Sequence, residues 1–316
     1  MRLISPNTNI NFLGQRKIAM GFSVLLILAS LGALFIKGLN FGIDFTGGTL
    51  VEVRFTQAPA IADVREALAP AGFGSAIIQE FGSPEEILVR SQNQDSEGDS
   101  SAISSSILGA LKAAFGDDGV EMRRVEFVGP QVGDELTKAG MMAVLVAMLA
   151  ILLYVTFRFQ FRFALGADAA LLHDITLIVG LFAITGKEFS LPVVAAILTV
   201  IGYSLNDTIV VFDRIRENFV LNRKRKQPHD EVAVVNQSVN QTLSRTLMTS
   251  LTTLLVVLAL LILGGEVIHD FAFALTAGIL IGTYSSIYIA SPVMLALHGK
   301  FGADNEEEAA ELAARP

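Results

Sequence analysis

Six long, predominantly apolar stretches constrain this chain more than any other feature. They run Ile18–Ile36, Ala139–Phe157, Phe163–Thr185, Phe189–Phe212, Thr246–Gly265 and Phe271–Leu297. Each has the length that a helix needs to cross the ~30 Å hydrocarbon core of a bilayer. Helices are the economical way for such segments to satisfy their backbone groups in lipid. The chain is 52% hydrophobic and only 17% charged, where soluble chains carry about a quarter charged residues. The first stretch follows Arg16-Lys17 like a signal peptide. Its apolar part is too long for one, however, and no small-x-small site precedes Lys37, so it reads as an uncleaved anchor.

Lys and Arg in the short loops set the orientation. Arg16 and Lys17, Arg158 and Arg162, the run from Arg214 to Lys226, and Lys300 fall on one side; the opposite short loops hold only Lys187. Both termini are therefore expected in the cytoplasm, and residues 38–136 outside, in the periplasm of a Gram-negative host. That segment carries 16 acidic and 6 basic residues, which fits the inside-positive bias. The expected organisation is residues 1–37 as N-terminus and first span, and 38–136 as outer domain. Residues 137–300 follow as spans two to six with a cytoplasmic amphipathic loop at 213–245, then 301–316 as an acidic, disordered tail.

The outer segment reads as βαββαβ, a small ferredoxin-like α+β domain. Gly48–Phe55 alternates as a half-buried strand, Ile61–Ala71 has helical spacing, and Ile77–Phe81 and Glu86–Val89 are strands joined by a Gly82-Ser83-Pro84 turn. Gln92–Ser101 is polar loop, Ile103–Phe115 a helix and Val120–Val128 a last strand. Between spans four and five, Phe212, Ile215 and Phe219, then Val232, Val235, Val239 and Leu243, recur at helical spacing around basic Arg223–Lys226. This is an amphipathic hairpin or a solvated charged loop.

Composition excludes several chemistries. There is no Cys and there are only four His, with no HExxH pair, so no disulfide, thiolate or zinc-hydrolase chemistry is expected. Neither cofactor nor metal is implied, and the formal charge of -8 argues against nucleic acid as a partner.

Charge inside a span is costly, ~2.5–3.5 kcal/mol for Asp at a helix centre. Only spans three and four hold any: Asp168, His173, Asp174 and Asp207. Thr199, Tyr203, Asn206 and Asp207 fall on one helix face by spacing, with Asp207 ~9 Å inside the helix end that Asp213 marks. A carboxylate held between a low-dielectric surround and a nearby cation can load and release a proton; a polar staple between helices is the alternative. Arg245, with Thr249, Thr252 and Thr253 continuing its face, is either that cation or a topology anchor. His173 and Asp174 point in different directions and are not expected to act as one unit. Asp174 is either a secondary relay or structural, and Asp168 is interfacial. Gly278, Gly282, Ser286 and Ala290 form a small-xxx-small packing seam, within the chain or toward a partner.

Three motifs resemble the SecD/SecF protein-export membrane proteins. The first is Gly42-Ile43-Asp44-Phe45-Thr46-Gly47-Gly48-Thr49. The second runs from Tyr203-Ser204-Leu205-Asn206-Asp207 through Asp213-Arg214 to Asn218. The third is Gln241–Thr246 with Thr249–Thr253. The small outer segment and the Asn206-Asp207 pair are similar to the SecF branch rather than to SecD. The resemblance implies a half of a pseudo-symmetric, RND-type unit with SecD, associated with the SecYEG channel and YajC and acting after SecA. Such a unit uses the proton motive force to promote translocation of unfolded preprotein across the bacterial inner membrane. It also implies that the family's relay Asp falls on Asp207 and its span-five Arg on Arg245. The coupling ion, H⁺ or Na⁺, stays open. A small-molecule RND exporter and a passive scaffold are the rivals. An intramembrane aspartyl protease would need a Gly-x-Gly-Asp motif, which the sequence lacks.

Overall fold

A computed structural model describes residues 9–91, 100–224 and 230–301. The chain opens with a 3₁₀ turn, Leu13–Gln15, which runs into α1 (Arg16–Lys37). Gly38, at φ 71°, ends that helix. A short connection follows: β1 (Asn40–Phe41), then the single turn α2 (Ile43–Thr46). The α+β unit comprises β2 (Gly48–Phe55), α3 (Ile61–Leu68), β3 (Ile77–Phe81), β4 (Ser83–Ser91), α4 (Ser100–Phe115) and β5 (Val120–Val128). The chain re-enters the bundle as α5 (Pro130–Arg158), followed by α6 (Phe161–Thr185), β6 (Glu188–Phe189), α7 (Leu191–Lys224), α8 (Glu231–Leu263) and α9 (Glu266–Ser285). A π turn, Ser286–Ala290, leads into α10 (Ser291–Phe301).

Six helical spans are long and apolar enough to cross a membrane, so the chain is an α-helical, multi-pass membrane protein. The helices outrun the apolar stretches. α5 starts at Pro130, whose missing N–H costs nothing at a first helical position. α7 continues past Asp213 to Lys224, and α8 begins at Glu231, capped by the Asp230 carboxylate accepting from Val232 N. The amphipathic segment is thus two helix extensions. Asn218 Nδ2 on α7 donates to Ser238 Oγ at 2.8 Å and Gln241 Oε1 at 2.9 Å on α8. The connection at 225–229, the polar segment at 92–99 and the tail beyond 301 lie outside the described residues.

The four-stranded antiparallel sheet has the order β3-β4-β2-β5, the ferredoxin-like arrangement. Val51, Val53 and Phe55 pack with Ile87 and Val89 against Val64 and Leu68 of α3 and Ile107 and Leu111 of α4. Two details differ from the alternation. Leu50 is buried as well, because it meets Leu88 and Ile43 of α2 on the opposite face. The β3–β4 turn is tighter than Gly82-Ser83-Pro84: Phe81 pairs with Ser83 around Gly82 at φ 78°.

In the bundle, α6, α7 and α9 are the interior, while α1, α5 and α8 leave most of their apolar surface open. The small-residue seam of α9 lies against α7 of the same chain. A Cβ at Gly278 would stand 2.2 Å from Val200, and one at Gly282 3.0 Å from Ser204. One turn further, Ser286 Oγ and Thr208 Oγ1 hydrogen-bond at 2.9 Å. The two helices therefore run side by side in register, which only small side chains permit.

Candidate intramembrane polar site

The seam on α7 that faces α9 reads Val200, Ser204, Asp207, Thr208 and Val211, all buried. Helical spacing carries Asp207 into the interior; it is 2% exposed. It accepts from Ser250 Oγ of α8 at 3.4 Å, and Ser250 shares a 2.7 Å hydrogen bond with Thr283 of α9. Arg245 acts on Asp207 electrostatically, yet no ion pair within 4.0 Å joins them among the described residues. Arg245 is exposed on α8, and Thr249 is half-buried, donating to the Arg245 carbonyl.

The expected Thr199–Tyr203–Asn206–Asp207 face divides. Thr199 and Asn206 are exposed, Tyr203 is half-buried with a hydroxyl lacking a partner among the described residues, and Asp207 alone points into the core. Adjacent helix positions differ by about 100°, so Asn206 and Asp207 straddle the edge of the buried seam.

His173 and Asp174 do form one unit, contrary to the expectation from their directions. His173 Nδ1 lies 3.0 Å from Asp174 Oδ1, because short side chains can bend toward each other across one helical step. Asp174 Oδ2 also accepts from Ser204 Oγ of α7 at 2.7 Å and Ser285 Oγ of α9 at 2.9 Å. Asp174 thereby ties three helices together, one α7 turn from Asp207. Asp168, two turns into α6, is half-buried, and its Oδ1 has no partner among the described residues.

A second polar cluster joins the α+β unit to the bundle. Gly42 N donates to Phe189 O at 2.9 Å, and β1 pairs in parallel with β6. Asp44 Oδ2 accepts from Leu191 N, at the start of α7, at 2.8 Å. Gly42 lies so near Glu188 that a Cβ would come within 2.6 Å of its carboxylate. Gly47, at φ 66°, leaves 3.0 Å between a would-be Cβ and Pro130, so neither its conformation nor its space admits a side chain. Gly48 and Thr49 open β2, where Thr49 is buried.

Sequence reasoning missed the charges of this junction. Arg90, fully buried on β4, donates to the Phe41 carbonyl, Asn40 Oδ1 and Glu188 Oε2. Lys187 Nζ and Glu188 N both donate to Asp270. Burial pushes the Glu188 carboxyl above its ordinary value; Arg90 opposes this, and Asp270, Asp44 and Glu126 reinforce it. The available signal was a lone Arg in the apolar strand Ile87-Leu88-Val89. At the opposite end of α7, Asp213 pairs with Arg216 at 3.2 Å and Arg214 with Glu217 at 2.7 Å, all exposed or nearly so.

Comparison with known proteins places this geometry. Residues 108–300 match the family described as "Protein export membrane protein SecD/SecF, C-terminal", and residues 32–59 match the "SecD/SecF GG Motif". The chain is 54% identical to protein translocase subunit SecF of Magnetococcus marinus, over 98% of this chain and 99% of that one. It is 51% identical to the SecF of Vibrio alginolyticus, over 94% and 92%. A crystal structure of the translocon-associated membrane protein SecDF from Thermus thermophilus matches 94% of the chain with a TM-score of 0.82 at 41% identity. A second SecDF structure, described as the super-membrane-facing form, matches 98% with a TM-score of 0.68 at 40% identity. The chain spans about two fifths of the length of both SecDF chains, covering 40% and 41% of them. It belongs to the SecD/SecF family of protein-export membrane proteins.

Proposed function

We propose that this chain is the SecF-type subunit of a SecDF unit that draws on the proton motive force to promote protein translocation across the cytoplasmic membrane. Its partner is a SecD-type subunit. The assembly works with the SecYEG channel and YajC on a preprotein that SecA has already engaged. The small α+β domain faces the periplasm, and both termini face the cytoplasm. The remaining three fifths of the SecDF chains is room for the SecD-type half.

The observation that carries this reading is the contrast between two buried acids. Asp174 has three hydrogen-bond partners between 2.7 and 3.0 Å. Asp207, equally buried, has one donor at 3.4 Å among the described residues and a cation acting from a distance. A carboxylate so weakly tied is the one whose proton can exchange. Loading it removes the charge that Arg245 attracts. The α7–α8 packing around Ser250 then relaxes, and the shift reaches the α+β domain because Asp44 is bonded to the first residue of α7. Each charge that crosses the potential supplies ~2.3 kcal/mol per 100 mV, comparable to a conformational preference of a few kcal/mol. Two SecDF structures of near-equal identity but TM-scores of 0.82 and 0.68 support a fold that takes more than one arrangement.

The test is Asp207→Asn in membranes that also hold the partner. Ion-gradient-dependent export should fall at least tenfold while assembly stays normal. Unchanged export would refute the relay, and lost assembly with intact coupling would make the acid a scaffold. Imposing a pH gradient and a Na⁺ gradient separately identifies the ion.

A further inference from the structure

We propose that His173 and Asp174 form a second protonation site in the bundle, which takes its proton at His173 Nε2 with Asp174 as the fixed counter-ion. Both side chains are almost fully enclosed, 2% and 1% exposed. An ionised carboxylate only accepts, so with Asp174 charged the His173 Nδ1, 3.0 Å away, must donate to it alongside the two serine hydroxyls. That arrangement puts the proton of a neutral imidazole on Nδ1 and leaves a lone pair on Nε2. Nε2 is buried, with no hydrogen-bond partner among the described residues. In this state the pair carries one net negative charge in the interior of the bundle, where an uncompensated charge is costly. A proton on Nε2 turns it into a neutral imidazolium–carboxylate pair and leaves all three hydrogen bonds to Asp174 in place.

The surroundings suit that role. The ring of Tyr284, on α9, stacks on His173 with centroids 6.1 Å apart, and its hydroxyl donates to the Ala19 carbonyl of α1 and meets Ser23. Along the middle of the packed helices the titratable groups are Tyr203 and Asp207 on α7, Tyr284 on α9 and Tyr288 in the π turn, with Asp168 on α6 itself. Arg162 at the start of α6, the α7 charges from Asp213 onward, and Glu266, His269 and Asp270 at the start of α9 lie toward the helix ends. α1, α5 and α10 carry their charges only near their ends. The donors to Asp174 come from Ser204, one turn before Asp207, and from Ser285, which immediately precedes the π turn. A change of charge on the pair therefore acts directly on the α6–α7–α9 contact. This inference concerns the protonation of His173 itself and holds or fails independently of whether Asp207 drives export.

The test is ¹⁵N-histidine magnetic resonance on the full chain, co-isolated with its partner in lipid nanodiscs. The four histidines are His173, His229, His269 and His298, and loss of one signal in His173→Gln assigns the site. The expected signal shows Nδ1 protonated and Nε2 bare in the neutral ring, and both nitrogens protonated once the ring takes its second proton on acidification. At the pH where His173 is half-protonated, Asp174→Asn should lower its ratio of protonated to neutral form at least tenfold. A proton on Nε2 in the neutral ring, or a ring that never gains its second proton while the protein stays folded, overturns the proposal; so does an Asp174→Asn ratio that matches the parent. Should Asp174→Asn fail to fold, the parent spectrum alone decides by the same two criteria. Ser285→Ala, which removes one donor from the carboxylate, should then shift the His173 ratio as well.

Discussion

Asp44 and Leu191 stand 147 positions apart and share a 2.8 Å hydrogen bond, carboxylate to backbone N–H. Leu191 is the first residue of α7, the helix that carries Asp207. The first N–H groups of a helix have no partner within it, and a carboxylate there satisfies one and complements the helix dipole. Asp44 thus acts as a cap supplied from another part of the chain. Asp44→Ala should cost about 1 kcal/mol of stability, as loss of a helix cap does. Asp44→Asn, which keeps an acceptor, should cost less. Thermal unfolding of both variants in the same lipid decides; equal losses would show that the charge, rather than the hydrogen bond, is what α7 uses.

The Glu188 carboxyl is raised above 4.5, chiefly by burial. The folded form therefore holds its proton to higher pH than the unfolded form. The corresponding stability is present below about pH 4.5 and is lost as pH rises through the folded value. As pH rises above about 4.5 the junction should loosen, with a slope of at most about 1.4 kcal/mol per pH unit for one proton. Hydrogen exchange at the Asn40–Phe41 and Glu188–Phe189 amides measures it. Glu188→Gln should flatten the dependence, and a slope unchanged by that substitution would assign it to another group.

How much of this was legible in the residues follows from the range of each interaction. The spans and the βαββαβ order are local patterns of hydropathy and periodicity, and they were readable. Asp207 was readable because lipid makes any charge conspicuous. The junction was not: Arg90 and Glu188 are 98 positions apart in separate units, and neither looks unusual beside its neighbours. Asn206 shares a helix face with Asp207 by spacing, but spacing gives only an angular sector, whereas burial depends on where α8 and α9 stop covering α7. His173 and Asp174 were separated by a rule for backbone direction that ignores how far two side chains can bend. The Gly278–Ser286 seam was legible as a contact, but its partner, α7, was not.

Arg90 is fully buried and makes three polar contacts. Arg90→Met removes the cation nearest Glu188 and leaves that acid beside Asp270, Asp44 and Glu126. Breaking a buried pair from one side typically costs about 3–5 kcal/mol; with Glu188 21% exposed, the lower end is expected. Arg90→Lys should recover little, since an ammonium lacks the planar fork that serves several acceptors at once. Adding Glu188→Gln to Arg90→Met should restore part of the loss. If the double variant is no more stable than the single one, the two residues are not coupled.

Gly278 tests whether the close approach of α7 and α9 is what assembles the polar site. An added Cβ would stand 2.2 Å from Val200 Cγ2, a distance that forces the helices apart. Overpacking of this kind costs about 1–3 kcal/mol. The displacement would first affect the contacts along the same seam, Ser286 to Thr208 at 2.9 Å and Ser285 to Asp174 at 2.9 Å. Gly278→Ala should therefore lower thermal stability and reduce ion-dependent export together. Gly32→Ala, on α1 where an added Cβ meets nothing within 4 Å, should leave both unchanged. Normal export from a destabilised Gly278→Ala protein would show that coupling tolerates a wider α7–α9 spacing than the hydrogen bonds do.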